Sequence, residues 1–551
     1  MALGSHFYEG HERRGPRQLQ SRKEAIMYAY GLARQSRRSR QFGSPSEELR
    51  IGVTFRRPDG GPGPTKIDAP LSLESVKRFL PDALVMDRAI YELGKLGFRL
   101  TGRGRLTVSM RCRLDSFEET FGTTLAERQV NTRENYAFHT FYYPDVDAPW
   151  KFPPTLAELI DDAYIQWPQI YMAPRKSTPS RKRVSRKGSA VAGQTKPSAR
   201  PPKVDYYHLK VPNDIAYLLN AKKVHRARTT GKGIRVVMID TGFAHGSHPF
   251  FAAHGFKSTV DLAPGAVNDT TDLMGHGTGE STNIFSVAPG ATFIGVKIDN
   301  DDDPRRRASM LEAFQTALQH KPHIISISKG SDLRDEKSDR QLPRLPRSLV
   351  ALEVEILAAV ASGITVVFSA GNGQFSFPGM MPDVFSVGGV FMDQAHNMKA
   401  SDLASAFDSE IYSGRHIPDF CGLVGMKSDP LPPEDRYIML PVPPECEIDK
   451  IQSEDWGDGT RPDDGWAAFS GTSAAAPQIA GVCALLKAKN PDLTPSDIKA
   501  ILRRTARQVL EGNSNPKSSE GGKTPQKAGP GDDGAAGAGL VDAFRAYQEV
   551  I

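Results

Sequence analysis

From Asp205 onward, short and almost wholly apolar runs alternate with helix-forming stretches, and this alternation restricts the fold more than any other feature of the 551 residues. The runs are IRVVMID (234–240), ATFIGVKI (291–298), HIISIS (323–328) and ITVVFSA (364–370), with helices expected across Met310–Gln319 and Leu349–Ala361. A strand apolar on both faces must be covered on both faces, so the pattern predicts a parallel sheet with helices on either side, an α/β fold. Towards the C-terminus, SAAAPQIAGVCALLKAKN and TPSDIKAILRRTA read as two helices. GLVDAFRAYQEVI closes the chain with a short one, after a Gly- and Lys-rich loop at 511–538.

Four polar residues stand in Gly-flanked turns at strand ends or helix starts of this region, where ligands gather in open α/β sheets. Asp240 ends the strand of VVMIDTG, and His276 lies between glycines in MGHGTGE. Asn372 follows a strand in VVFSAGNG, and Ser473 opens an apolar helix in FSGTSAAAPQIAG. Amide hydrolysis needs a nucleophile, a base to take its proton and a carboxylate to fix the base's tautomer, which are the three types offered by Ser473, His276 and Asp240. It also needs donors aimed at the developing oxyanion; a side-chain amide and a main-chain N–H at a helix start meet that demand, as Asn372 and Ser473 provide. Alone, each has a bland reading: a turn cap for Asp240, a helix cap for the GTS segment and a left-handed turn residue for Asn372. Their joint occurrence favours catalysis.

IDTG, HGTG, SAGN and GTSAAAP, in that order over Gly231–Ala506, resemble the subtilisin-like serine peptidases. The resemblance implies a subtilisin-like parallel sheet and an Asp240–His276–Ser473 triad with Asn372 at the oxyanion. It further implies a protein or peptide substrate held by Ser328, Lys329 and Gly330 of SISKGS and by Gly371. Such a strand would take the substrate backbone by β-augmentation. Lys329 departs from the pattern, which has an apolar residue there, and leaves pocket preference open. A ligase or macrocyclase on the same fold is an alternative, with the Pro-rich 415–465 as its candidate insertion, and a non-catalytic peptide-binding scaffold is another.

The N-terminal third differs in charge. Residues 1–204 hold 35 of the chain's 70 Lys and Arg but 21 of its 64 Asp and Glu, net +14, whereas residues 205–551 are net −8. Without a nucleic-acid motif this excess fits docking onto the acidic remainder of the chain better than binding of an external polyanion. Residues 1–48 read as a basic flexible arm with one helix near Glu24–Arg34. Residues 49–172 read as a small α+β unit: strand Ile51–Phe55, helix Met86–Leu96, two strands in GFRLTGRGRLTVSMRC, a helix from Leu114 to Phe121 capped by Asp115 or Ser116, and a strand in YAFHTFYYP. That order is a split, ferredoxin-like β-α-β-β-α-β. LTVSMRCRLDSFEETFGTTL resembles the activation domains of sedolisin peptidases, which implies an intramolecular pro-domain and a self-inhibited zymogen. Residues 173–204, a basic linker, cannot bury a core and are the natural place for a cut. The peptidase domain would occupy 205–551.

Cys112, Cys421, Cys446 and Cys483 are too sparse for a disulfide framework; Cys421 and Cys446 could pair, but buried thiols are favoured. The histidines of HGSHPFFAAH (245–254) fit no tight zinc spacing, and Asp299 and Asp301–Asp303, followed by arginines, suit a self-paired turn better than structural calcium. The expectation is therefore no cofactor and no metal. Without a secretory leader or a run of about 18 apolar residues, neither membrane nor export is indicated and a cytoplasmic location is expected.

Overall fold

A computed structural model of the chain describes residues 48–67, 70–130, 139–144, 151–166, 170–171, 197–335, 338–427, 436–515 and 524–551. The helix expected near Glu24–Arg34 and most of the basic linker lie outside them.

In the N-terminal unit, β1 (Glu48–Phe55) leads to α1 (Ala83–Lys95), β2 (Arg99–Arg103), β3 (Thr107–Arg113), α2 (Leu114–Phe121), β4 (Leu125–Val130), β5 (His139–Pro144), β6 (Ile160–Ile165) and β7 (Ile170–Tyr171). A four-stranded antiparallel sheet runs β2–β3–β1–β6. Its fourth strand is β6, not YAFHTFYYP, whose β5 pairs with β4 in a separate hairpin. Neither Asp115 nor Ser116 caps α2: Arg113 holds the N-cap position, and Asp115, inside the first turn, binds its side chain. Period-two alternation along β1 puts Ile51, Val53 and Phe55 into a core with Phe117 and Phe121.

The larger unit contains β8 (Arg235–Asp240), β9 (Ser258–Leu262), α3 (His276–Val287), β10 (Thr292–Lys297), α4 (Met310–Gln319), β11 (Ile324–Ile327), β12 (Lys329–Asp332), α5 (Arg347–Ala361), β13 (Thr365–Ser369), β14 (Phe385–Met392), β15 (Met398–Ala400), β16 (Phe420–Leu423), α6 (Thr472–Lys489) and α7 (Pro495–Thr505). Its eight-stranded sheet runs β9–β10–β8–β11–β13–β14–β15, with β16 also on β14; only β15 is antiparallel. The apolar runs are explained by two cores. Val236 and Met238 enter the one that contains α3 and α6, and Val237 and Ile239 the one beneath α4 and α5.

The N-terminal sheet lies across α4 and α5. Arg111 of β3 forks onto Glu312 of α4, Nε to Oε1 at 2.8 Å and Nη2 to Oε2 at 3.0 Å, and Glu312 Oε1 also accepts from the Thr101 hydroxyl at 2.7 Å. Glu355 of α5 accepts from the N–H groups of Arg105, Leu106 and Thr107 at 2.6, 3.1 and 3.1 Å, closing the β2–β3 turn. The contact is not simply basic on acidic, since Asp162 of β6 pairs with Arg347 of α5.

All four cysteines are buried free thiols. His245 bonds to Ser258 and Ser281 at 2.5 and 2.8 Å, and His248 accepts from the Phe250 N–H at 3.2 Å and packs edge-on against Trp466. Asp301 is met by the buried Lys297 at 2.8 Å.

Candidate active site

β8, β11 and β13 are adjacent and parallel, so their carboxyl ends share one edge of the sheet. Asp240 is the last residue of β8 and has no exposed surface. One of its carboxylate oxygens, Oδ1, accepts from the Thr241 N–H at 2.7 Å and lies 2.8 Å from His276 Nδ1. With Nδ1–H facing a carboxylate, the neutral ring carries its lone pair on Nε2. Gly277 permits the close approach: a Cβ there would stand 2.3 Å from the Gly242 carbonyl and 2.9 Å from Asp240 Cβ.

His276 begins α3, held there by a residue that the sequence pattern did not single out. Asp272 accepts from the N–H of Gly275 at 2.9 Å and from the N–H and hydroxyl of Thr278 at 2.9 and 2.8 Å. An acidic residue just before a helix and a Thr in its first turn was the available signal.

Ser473 is in the first turn of α6, which packs along α3. Gly471 enters the helix at φ 101°, where a Cβ would meet the Asn372 amide at 2.9 Å. Asn372 follows β13 and receives the Thr472 N–H and hydroxyl on its Oδ1 at 2.9 and 3.1 Å, which decides that Nδ2 is the end aimed elsewhere. Gly371, at φ 104°, donates to the Thr472 hydroxyl at 3.2 Å. Ser328, just past β11, donates to the Ser473 carbonyl at 2.9 Å.

β12 pairs antiparallel with β7, Lys329 opposite Tyr171 and Gly330 opposite Ile170. The backbone at two of the expected substrate-binding positions thus faces a segment of the chain's own N-terminal unit. The Lys329 side chain is buried, with Nζ 3.8 Å from Asp240 Oδ1.

Burial alone would raise the Asp240 carboxyl, but His276 and Lys329 beside it bring it below the ordinary carboxylate value. Burial likewise opposes protonation of His276; the Asp240 charge outweighs it and leaves the imidazole above its usual value. Glu280, one turn further along α3, is fully buried, and desolvation pushes its carboxyl up to about 8. No group of three or more His, Cys, Asp or Glu that could hold a metal ion occurs among the described residues.

The sequence profile described as Peptidase_S8, subtilase family, matches residues 231–539. The chain belongs to the subtilase family. Among curated subtilases it is 28% identical over 310 residues to serine protease AprX of Bacillus subtilis (strain 168), a match covering 52% of this chain and 64% of that protein. It is 27% identical over 289 residues to alkaline elastase YaB of Bacillus sp. (strain YaB), covering 50% and 60%. To subtilisin Savinase of Lederbergia lenta it is 26% identical over 300 residues, covering 52% and 88%. The chain thus spans less than two thirds of the length of the first two relatives.

Proposed function

We propose that this subtilase is a serine endopeptidase made as a self-inhibited zymogen. The observation that carries the reading is the 2.8 Å contact of His276 Nδ1 with the buried Asp240 carboxylate, at the sheet edge where Ser473 opens α6. In the proposed reaction His276 Nε2 removes the Ser473 hydroxyl proton as Oγ attacks the substrate carbonyl, while Asp240 stabilises the imidazolium that forms. The oxyanion is received by Asn372 Nδ2 and by the Ser473 N–H, which belongs to a helical first turn where N–H groups lack intrahelical partners. His276 returns its proton to the leaving amine, and water then hydrolyses the acyl-enzyme.

The N-terminal unit, residues 49–172, is the inhibitory partner in this reading. Supporting it, β7 already occupies the edge of β12 that an extended peptide substrate would add to. Cleavage within 173–204 would separate the two units.

The test is labelling of the full chain with a fluorophosphonate, before and after limited trypsin treatment of the basic stretch. Labelling that disappears in Ser473→Ala is expected. Its absence from the native chain under both conditions overturns the reading.

A further inference from the structure

Lys329 carries a buried amino group into the proposed machinery. Its backbone faces Tyr171 across the β12–β7 pair, while its side chain turns inward, 1% exposed. Nζ stands 3.8 Å from Asp240 Oδ1, the same oxygen that takes His276 Nδ1 at 2.8 Å. In a site closed to water a charge at this separation acts with an effective dielectric constant of about 20 rather than that of bulk solvent.

We propose that Lys329 is a positioning residue for the dyad: by sharing Asp240 Oδ1 with His276 it keeps the carboxylate ionised and sets the pH at which His276 becomes available as a base. This rests on the peptidase reading above. A cation there makes protonation of His276 harder, so the site works at lower pH than one without it.

Other titratable groups act on the same pair. His276 is faced by Asp240 from β8, by Lys329 from β12 and by Glu280 from α3 itself. Lys329 in turn faces Asp240, Asp272, Asp299 and Arg307. Burial, with Arg307, brings the proton affinity of Lys329 below the ordinary lysine value, and the three carboxylates oppose that loss in part. Glu280, whose carboxyl burial pushes up to about 8, acts on His276 in the opposite sense to Lys329, so the lysine's effect is read by difference between variants that all keep Glu280.

The experiment measures kcat/KM against pH on a fluorogenic peptide for the full chain and for Lys329→Met, Lys329→Gln and Lys329→Arg, each after limited trypsin treatment of the basic stretch and removal of the trypsin. The acid limb is expected to move up by about one pH unit in the Met and Gln variants and to stay near the native position with Arg. His276 is titrated in parallel by NMR in full-length Ser473→Ala with and without Lys329→Met, where the same upward shift is expected. Coincident profiles and titrations overturn the proposal, as does loss of the fold in both Met and Gln variants, which would make the lysine structural. Absence of Ser473-dependent hydrolysis in the trypsin-treated native chain is a different failure: it removes the peptidase reading, while the NMR titration still decides the lysine's effect on His276.

Discussion

The Glu355 carboxylate accepts both the N–H of Thr107, at 3.1 Å, and its hydroxyl, at 2.8 Å, joining the middle of α5 to the first residue of β3. Glu355 is wholly buried, and the same carboxylate takes the N–H groups of Arg105 and Leu106. One side chain thus supplies the acceptors for a whole hairpin turn of the other unit. Replacing it strands three N–H groups that no other group on α5 is shown to serve. Glu355→Ala in a Ser473→Ala background is expected to weaken docking of the N-terminal unit by about 2–3 kcal/mol, the cost of buried donors left without acceptors. Thermal unfolding and the rate of trypsin cleavage of the N-terminal unit measure it; an unchanged melting curve would contradict the role.

The Arg111–Glu312 fork gives a pH dependence whose sign can be worked out. Burial would raise Glu312, but Arg111, with Arg50 behind it, brings the carboxyl below its ordinary value. A carboxyl depressed in the folded state contributes stability that is present above its unfolded value near 4.5 and lost as the pH falls through the folded value. The native chain should therefore lose stability on acidification below about pH 4.5. In Arg111→Met the buried carboxylate is left less compensated, at a cost of about 3–5 kcal/mol near neutrality. The variant should melt closer to the native chain as acid neutralises Glu312, and melting curves between about pH 3.5 and 7 test this.

Much of the subtilase half was legible because its strands lack alternation and its candidate site residues sit in short turns with glycines at fixed positions. The helix Met310–Gln319 is found with the limits expected from the sequence. What was not legible depends on the second unit. Glu312 and Glu355 look like solvent-facing residues of amphipathic helices; they are buried only because a sheet from elsewhere in the chain covers them. β6 was missed for a related reason. IDDAYI carries two acidic residues that break an apolar strand pattern, yet Asp161 takes the Thr65 hydroxyl at 2.8 Å and Asp162 pairs with Arg347. The aromatic run in YAFHTFYYP gave the stronger local signal and belongs to a hairpin outside that sheet.

Orientation of the Asn372 amide is fixed by Thr472, so two substitutions should separate binding from chemistry. Asn372→Ala removes the proposed oxyanion donor and is expected to lower kcat by about 100–1000-fold with little change in KM. Thr472→Val keeps the main-chain bond to Asn372 Oδ1 at 2.9 Å but loses the hydroxyl bond at 3.1 Å, so a smaller loss of kcat is expected. Steady-state kinetics on one peptide substrate decide both. A rise in KM with kcat unchanged would place Asn372 in ground-state binding instead.

The dyad itself makes the sharpest demand on pH. To act as the proposed base His276 must be neutral, and the Asp240 carboxylate raises its proton affinity above the ordinary histidine value of 6.5. The acid limb of kcat/KM should therefore reach half-height above pH 6.5, with activity lost as the pH falls through it. Asp240→Asn removes both the charge and the acceptor that fixes Nδ1–H. It is expected to reduce kcat by about 10,000-fold and to return His276 to a lower proton affinity, because the largest charge that opposes burial is then gone. NMR titration of the imidazole in Asp240→Asn, set beside the pH profile of the native chain, measures the two effects separately. A histidine that titrates at the same pH with and without the carboxylate would mean that the 2.8 Å contact does not control its protonation.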